Sequence, residues 1–230
     1  MDNYDNAIAY IKEQEATNIS YVKVGDANQN LIVSFAGNAH SGFARKTSLM
    51  KLKYQRNNFD VLYLRNLNKW YIGGLKGIGK NINHTIEFLK KEFAKYDKVC
   101  CIGGSAGGYA GLLFGSLLNI NKVIALIAQT DLQYCVDNLS DGHLGKQNLI
   151  KRLKQCPVTW SKYNKISNVL NNNVSYNVFY KGDNNCQENW DLVLHGDHHY
   201  DEIKQYPNIS KFNSKDDDIP LIEEFLEETL

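Results

Sequence analysis

The chain has 230 residues, of which 43% are hydrophobic and 22% are charged, and its net charge at neutral pH is +1. This length and composition are typical of one globular domain and exclude a disordered or fibrous chain. The nearly neutral charge favours neither nucleic acid nor an anionic membrane as a partner. No apolar run approaches the roughly 18 residues of a membrane span, and the acidic start lacks a secretory signal pattern. We expect a cytoplasmic protein, and its oligomeric state is left open.

The predicted elements alternate between helices and strands. Apolar positions at helical spacing predict a helix over 5–15, and the next two apolar runs predict a β-hairpin around a turn at 26–29. The predicted strands are 19–24, 31–36, 61–64, 99–102, 123–128, 174–180 and 208–212. Further helices are predicted over 83–96, 106–119 and 219–230. This alternation predicts an α/β fold, a three-layer α/β/α sandwich with a mainly parallel central sheet.

The stretch 131–170 interrupts the alternation. It is rich in Lys, Asn and Gln, has helical character and carries few strand signals. We interpret it as a small helical cap or lid inserted over one end of the sheet. No linker or internal repeat divides the chain, so residues 1–230 are expected to form a single domain.

A glycine-rich motif, Gly103-Gly104-Ser105-Ala106-Gly107-Gly108, directly follows a predicted strand and begins a predicted helix. A G-x-S-x-G sequence in this context is typical of a nucleophile elbow, a strained turn that projects a serine hydroxyl from the sheet. Small residues are needed at Gly103 and Gly107, because side chains there would collide with the neighbouring strand and helix. Ser105 is therefore the predicted nucleophile. A glycine-rich packing turn and a phosphate-binding loop are the alternatives.

The predicted oxyanion hole combines two segments. The backbone N–H of Ala106 lies at a helix N-terminus, where it would bind a developing oxyanion. A second donor is expected from the loop after the strand 31–36, for which Gly37 and Asn38 are the candidates. An ordinary strand-ending turn is the alternative for this loop.

A second glycine-rich segment, 74–81, nearly matches the phosphate loop of nucleotide-binding proteins. Asn81 stands where that loop needs a hydroxyl for Mg²⁺, and no strand immediately precedes the segment. We therefore expect an ordinary loop that leads into the next helix.

The order of elements and the elbow resemble the α/β-hydrolase fold over essentially the whole chain. Three segments resemble a poorly characterised bacterial and viral branch of that superfamily: Trp70-Tyr71-Ile72-Gly73-Gly74-Leu75, Gly104-Ser105-Ala106-Gly107-Gly108-Tyr109-Ala110-Gly111 and residues 125–130. The resemblance implies a triad in the chain order serine, acid, histidine. The acid would follow the strand after the cap, and the histidine would follow the last strand.

Two aspartates are candidates for the acid. Asp183 holds the position that the fold implies, in the turn after the strand 174–180. Asp197, just before a predicted helix, is the alternative. A solvated or turn-capping carboxylate is the other interpretation of either residue.

The base is harder to assign, because the loop 213–218 after the last strand contains no histidine. The cluster His195, His198 and His199 lies between the acid-bearing turn and the last strand. We choose His199, since residues 200–206 look helical and would anchor it, with His198 and His195 as alternatives. The cluster matches no common metal-site spacing, so no metal is expected.

The sequence thus predicts a serine hydrolase of the carboxylesterase type, or an acyl-transfer enzyme, that acts on a small-molecule ester or thioester without a cofactor. His40 and His143 are the next candidates for the base. Because the last-loop histidine is missing, the alternative is a catalytically inactive binding protein on the same fold.

Overall fold

The computed structural model describes residues 3–26, 28–37, 42–66, 70–212 and 218–227. Its strands are β1 (Tyr21–Val24), β2 (Asn30–Phe35), β3 (Phe59–Leu64), β4 (Lys98–Gly104), β5 (Lys122–Leu126), β6 (Ser175–Phe179) and β7 (Ile209–Lys211). Its helices are α1 (Tyr4–Ala16), α2 (Lys46–Arg56), α3 (Ile82–Phe93), α4 (Ala106–Leu117), α5 (Leu132–Asn138), α6 (Leu144–Gln155), α7 (Pro157–Tyr163), α8 (Asn189–His195), α9 (Asp197–Asp201) and α10 (Asp218–Glu227). None of these helices is long and apolar enough to cross a bilayer.

The strands form one sheet in the order β1-β3-β2-β4-β5-β6-β7. β1 pairs antiparallel with β3, and the other neighbouring strands are parallel, which confirms the predicted mainly parallel sheet. The predicted hairpin is wrong, because β3 lies between β1 and β2. Every residue of β2 is buried, so β2 belongs inside the sheet, whereas β1 alternates between buried and half-buried residues and suits an edge.

Two apolar layers cover the sheet, one on each face. Alternate residues of a strand point to opposite faces, so Cys101 of β4 joins a core with α3 and α4, while Cys100 joins a core with α1, α2 and α10. Helices therefore lie on both sides of the sheet, and the predicted α/β/α sandwich is confirmed.

The stretch between β5 and β6 is helical and consists mainly of α5, α6 and α7. Trp160 and Tyr163 of α7 are buried in the core on the α4 side of the sheet. The hydroxyl of Tyr109 in α4 donates to the carbonyl oxygen of Tyr163 at 2.9 Å, which fixes α7 against α4. That this insertion acts as a lid stays a prediction.

The segment after β6 departs from the sequence prediction of a helix over 200–206. The helix there is α9, which ends at Asp201 and is followed by turns. His199 therefore lies inside a helix instead of before one. The parallel strands β2, β4, β5 and β6 end at the same edge of the sheet, where ligand sites of such folds lie.

Candidate active site

Ser105 lies in the turn between β4 and α4 with φ 55° and ψ −123°. Its backbone N–H donates to the carbonyl oxygen of Leu126 at 2.8 Å, and its carbonyl oxygen accepts from Tyr109 N–H at 3.0 Å. A residue with a side chain at positive φ carries about 1–3 kcal/mol of strain, which the surrounding structure must hold in place. The strand, sharp turn and helix that the motif predicts are therefore present, and the Ser105 side chain is only partly buried.

The flanking glycines allow this turn to form. A Cβ at Gly103 would lie 2.2 Å from the carbonyl oxygen of Gly107, and a Cβ at Gly107 would lie 2.3 Å from that of Phe35. Both atoms belong to the backbone, which cannot move aside cheaply. The close approach of β2, β4 and α4 around Ser105 thus requires glycine at both positions.

The predicted oxyanion residues are found on both sides of the nucleophile. Ala106, Gly107 and Gly108 begin α4, so their N–H groups have no acceptor within the helix. Gly37 follows β2, and a Cβ built on it would lie 3.7 Å from the Cβ of Ser105. The structure thus brings Gly37 and Ala106 close to Ser105, while Asn38 lies outside the described residues.

The hydroxyl of Ser105 contacts a residue that sequence reasoning did not select. Oγ lies 3.3 Å from Nε2 and 3.4 Å from Oε1 of Gln129, whose side chain is fully buried. Nε2 of Gln129 also donates to the carbonyl oxygen of Leu194 at 2.8 Å and lies 3.1 Å from Nδ1 of His195. In the sequence, Gln129 is a polar residue just beyond the apolar strand next to the nucleophile strand, and it lies in the segment 125–130 that carries the family resemblance, but neither feature assigned it a role.

Three consecutive buried polar residues, Gln129, Thr130 and Asp131, follow β5. Thr130 Oγ1 donates to the carbonyl oxygen of His199 at 2.8 Å, and Asp131 Oδ2 lies 3.8 Å from Nε2 of His198. Together with the Gln129–Leu194 bond, these contacts hold α8 and α9 against the end of β5. The polar run therefore brings the histidine cluster to the edge of the sheet that carries Ser105.

His195 is the histidine of the cluster that shares a partner with Ser105. Its Nδ1 lies 3.1 Å from the carbonyl oxygen of Ile127, which can only accept, and with the proton on Nδ1 this contact is a hydrogen bond and the lone pair is on Nε2. In that tautomer the amide nitrogen of Gln129, also 3.1 Å from Nδ1, is in contact with the ring without a hydrogen bond to it. Its side chain is 8% exposed. Burial lowers the pKa of His195, because the charged imidazolium loses its solvation. A neutral imidazole in this tautomer can accept a proton.

A buried carboxylate lies one helical turn before His195. Asp191 is 4% exposed, and its Oδ2 accepts from Lys181 Nζ at 2.7 Å and from Gln187 N–H at 3.4 Å. Burial favours its neutral form, but the hydrogen bonds from Lys181 and Gln187 and the positive charge of Lys181 together outweigh this effect and lower the pKa of Asp191. The resulting negative charge favours the protonated imidazole of His195. Residues i and i+4 share one helix face, a spacing that could have identified this pair.

His199 is held by the backbone and does not contact Ser105. Its Nδ1 accepts from Thr130 N–H at 3.1 Å, its Nε2 donates to the Val193 carbonyl oxygen at 2.9 Å, and its side chain is fully buried. With both nitrogens occupied, the imidazole anchors α9 and is not available to the nucleophile. His198 stacks on Tyr134, with ring centroids 3.6 Å apart.

The two candidate acids bind each other's backbone. Asp197 N–H donates to Asp183 Oδ1 at 2.9 Å, and Asp183 N–H donates to Asp197 Oδ2 at 3.3 Å. Asp183 is exposed, and Lys211 Nζ lies 3.7 Å from Asp197 Oδ1. Within the described part of the chain, neither carboxylate hydrogen-bonds to a histidine of the cluster.

The remaining candidates lie elsewhere. His143 is the N-cap of α6 and its Nδ1 accepts from Gly145 N–H, while His40 lies outside the described residues. Asn81 caps α3 by accepting from His84 N–H, which agrees with an ordinary loop at 74–81. Among the residues that the structure describes, no three His, Cys, Asp or Glu side chains form a group that could hold a metal ion.

Besides Ser105, three other described residues near this edge of the sheet have a strained backbone. Trp70 and Tyr71 follow β3 with φ values of 67° and 56°, and Ile127 follows β5 with φ 45°. The Tyr71 hydroxyl lies 2.9 Å from the carbonyl oxygen of Ala36, the residue before Gly37. Such strain is typical of functional sites, where the surrounding structure fixes unfavourable conformations.

Comparison with known proteins identifies the fold. Neither a scan of protein-family models nor a search of curated proteins finds a match for the sequence. Among solved structures, an α/β hydrolase from the sediment metagenome of the Mar Chica lagoon in Morocco is 15% identical, with a TM-score of 0.54 over 91% of this chain and 95% of that one. The chain is also similar to acetyl xylan esterase 1 from Thermoanaerobacterium sp., with 16% identity and a TM-score of 0.54 over 90% of this chain and 77% of the esterase.

A third similar structure is the capsule O-acetyltransferase of Neisseria meningitidis serogroup A. It is 11% identical, with a TM-score of 0.56 over 91% of this chain and 89% of the transferase. At these identities the likeness establishes the fold alone. The chain therefore has the α/β-hydrolase fold, as the sequence resemblance implied.

Proposed function

We propose that this protein, on its α/β-hydrolase fold, is a serine hydrolase or acyltransferase that acts on a small-molecule ester or thioester. The observation that carries the proposal is the strained turn at Ser105, whose hydroxyl lies at the carboxyl edge of the sheet beside the first N–H groups of α4. Similarity to esterases supports transfer of the acyl group to water, and similarity to an O-acetyltransferase supports its transfer to an acceptor hydroxyl.

In the proposed reaction, Ser105 Oγ attacks the carbonyl carbon of the ester while Nε2 of His195 takes the hydroxyl proton. The Ala106 N–H stabilises the oxyanion that forms, and the loop that begins at Gly37 supplies the second donor. The imidazolium returns the proton to the departing alcohol or thiol, which leaves an acyl group on Ser105. Water or an acceptor hydroxyl then removes that group by the same steps in reverse.

We assign the base to His195 in place of His199, because His195 shares Gln129 with Ser105 whereas both nitrogens of His199 bind the backbone. The Ile127 carbonyl takes the orienting position next to Nδ1 that a triad carboxylate usually occupies. Asp191, in place of Asp183 or Asp197, supplies the nearby negative charge.

A specific contact favours a second candidate function. The hydrogen-bond partner of Ser105 Oγ among the described residues is the amide of Gln129, which is not a base. A hydrolase-fold protein that binds a ligand without catalysis would have such an arrangement. If the protein is the proposed enzyme, the imidazole of His195 moves into hydrogen-bond range of Ser105 Oγ when substrate binds. Hydrogen bonds between catalytic groups are often long in the absence of substrate.

Labelling with a fluorophosphonate probe tests the proposal, because only an activated serine reacts appreciably. We expect modification at Ser105 and none in Ser105→Ala, while Ser161→Ala, which removes an exposed hydroxyl from α7, labels like the wild type. Circular dichroism shows whether each variant is folded. A folded wild-type protein that stays unlabelled beside a reactive control esterase would establish the non-catalytic alternative.

A further inference from the structure

The side chain of Gln129 connects the nucleophile turn at Ser105 with the end of α8, two segments that are distant in the sequence. On one side its amide contacts Ser105 Oγ at 3.3 Å, and on the other it donates to the Leu194 carbonyl oxygen at 2.8 Å. The same nitrogen lies 3.1 Å from Nδ1 of His195. The contact with Leu194 is the shortest of the three.

Leu194 is the second-to-last residue of α8. Its carbonyl oxygen therefore belongs to the last turn and accepts no backbone N–H within the helix. A buried donor at this point fixes the end of α8, the helix that carries His195. Because the second amide hydrogen remains for Ser105, one side chain sets the position of the helix end relative to the nucleophile.

We infer that Gln129 is a positioning residue that holds the His195-bearing end of α8 against Ser105. The catalytic roles of His195 and Ser105 in this inference rest on the proposed function. The contact between Gln129 and the His195 ring can be tested without any enzymatic activity. A merely structural amide would need the Leu194 contact alone, and its replacement would not change the environment of the His195 ring.

Gln129→Glu probes the contact with the ring directly. A carboxylate near Nδ1 stabilises the imidazolium and raises the pKa of His195. Among the described residues, the other titratable groups that act on this ring are Asp191 on the same helix, Lys181 after β6, and His199 on α9. These groups are the same in the wild type and in Gln129→Glu. A change in the pH midpoint of the His195 ring is therefore caused by the carboxylate at position 129.

The first measurement follows the His195 ring by NMR during a pH titration of the full-length protein. We expect the midpoint in Gln129→Glu to lie about one pH unit or more above that of the wild type. Gln147→Glu, the same change on the exposed face of α6, is the matched control and should leave the His195 midpoint unchanged. A midpoint in Gln129→Glu equal to that of the wild type would overturn the inference.

The second measurement is the rate of fluorophosphonate labelling in Gln129→Leu, which keeps the size of the side chain and removes both donors. We expect labelling of Ser105 to slow by between about 10- and 100-fold, because a small misplacement of the base has that effect. Gln147→Leu should label at the wild-type rate. If Gln129→Leu is unfolded by circular dichroism, Gln129→Asn replaces it, since it retains the amide but shortens its reach, and the same slowing is expected.

The outcomes separate the inference from the proposed function. If the wild type labels while either the labelling rate in Gln129→Leu or the His195 midpoint in Gln129→Glu stays unchanged, the inference fails and the proposed function stands. If the wild type does not label, the proposed function fails. The NMR titration then decides by itself whether Gln129 holds His195.

Discussion

The carbonyl oxygen of Ile127 accepts a hydrogen bond from Nδ1 of His195 at 3.1 Å. Ile127 is β-branched and has φ 45°, a conformation that costs about 1–3 kcal/mol for such a residue. Its own N–H donates to the carbonyl oxygen of Phe179, the last residue of β6, at 2.7 Å, which ties the backbone after β5 to the end of β6. The strained backbone thus points a carbonyl at Nδ1 of the imidazole, so that the lone pair that accepts a proton is on Nε2.

The assignment of the base leads to the first prediction. His195→Ala should slow fluorophosphonate labelling of Ser105 by between about 100- and 10,000-fold, the usual contribution of a general base. His84→Ala, on the exposed side of α3, is the control and should keep the wild-type rate. A His195→Ala protein that labels at the wild-type rate would move the base role to another residue.

The second prediction concerns the stability of the protein in acid. Burial lowers the pKa of His199 from 6.5 to about 4. Between these values the unfolded chain binds a proton at this residue that the folded chain does not. The contribution of His199 to stability is therefore complete above pH 6.5 and falls by about 3 kcal/mol as the pH approaches 4.

Urea unfolding at about pH 7 and at about pH 4.5 measures this effect. In His199→Gln, whose amide does not titrate, the free energy of unfolding should decrease less between the two pH values than in the wild type. Equal decreases in the two proteins would show that His199 does not carry this pH dependence.

The third prediction compares two glycines of α4. Gly107→Ala places a Cβ 2.3 Å from the Phe35 carbonyl oxygen, and we expect it to lower the free energy of unfolding by about 1–3 kcal/mol. At Gly111 the nearest atom to a new Cβ is Val123 Cγ1 at 3.6 Å, an ordinary contact. Gly111→Ala should therefore be neutral or stabilise the helix by up to about 1 kcal/mol. Denaturant unfolding measures both, and equal effects would contradict the close approach at Gly107.

The fourth prediction concerns the Tyr71 hydroxyl, which bonds the Ala36 carbonyl directly before Gly37. Tyr71→Phe frees the start of the predicted oxyanion loop, so with a chromogenic ester kcat should fall by about tenfold and KM should change little, because oxyanion donors act in the transition state. Tyr63→Phe is the control, since that buried hydroxyl lies 3.4 Å from the Lys46 carbonyl oxygen on the other face of the sheet. A larger change in KM than in kcat would assign Tyr71 to substrate binding.

The sequence by itself determined the layers and the nucleophile turn. Continuous apolar strands and amphipathic helices are local patterns, and G-x-S-x-G between a strand and a helix specifies the turn at Ser105 because only glycine fits on both sides. The position of β1 was missed, since strand pairing depends on burial across the whole sheet and not on the order of the strands in the chain.

Only the tertiary structure decided which side chains meet Ser105. The sequence placed His195, His198 and His199 in one short segment, but it could not tell which ring faces the nucleophile. The buried run Gln129, Thr130 and Asp131 sets that choice through hydrogen bonds to residues more than 60 positions away. Hydrogen bonds of this kind leave no periodicity in the sequence, because each depends on where two separate segments pack.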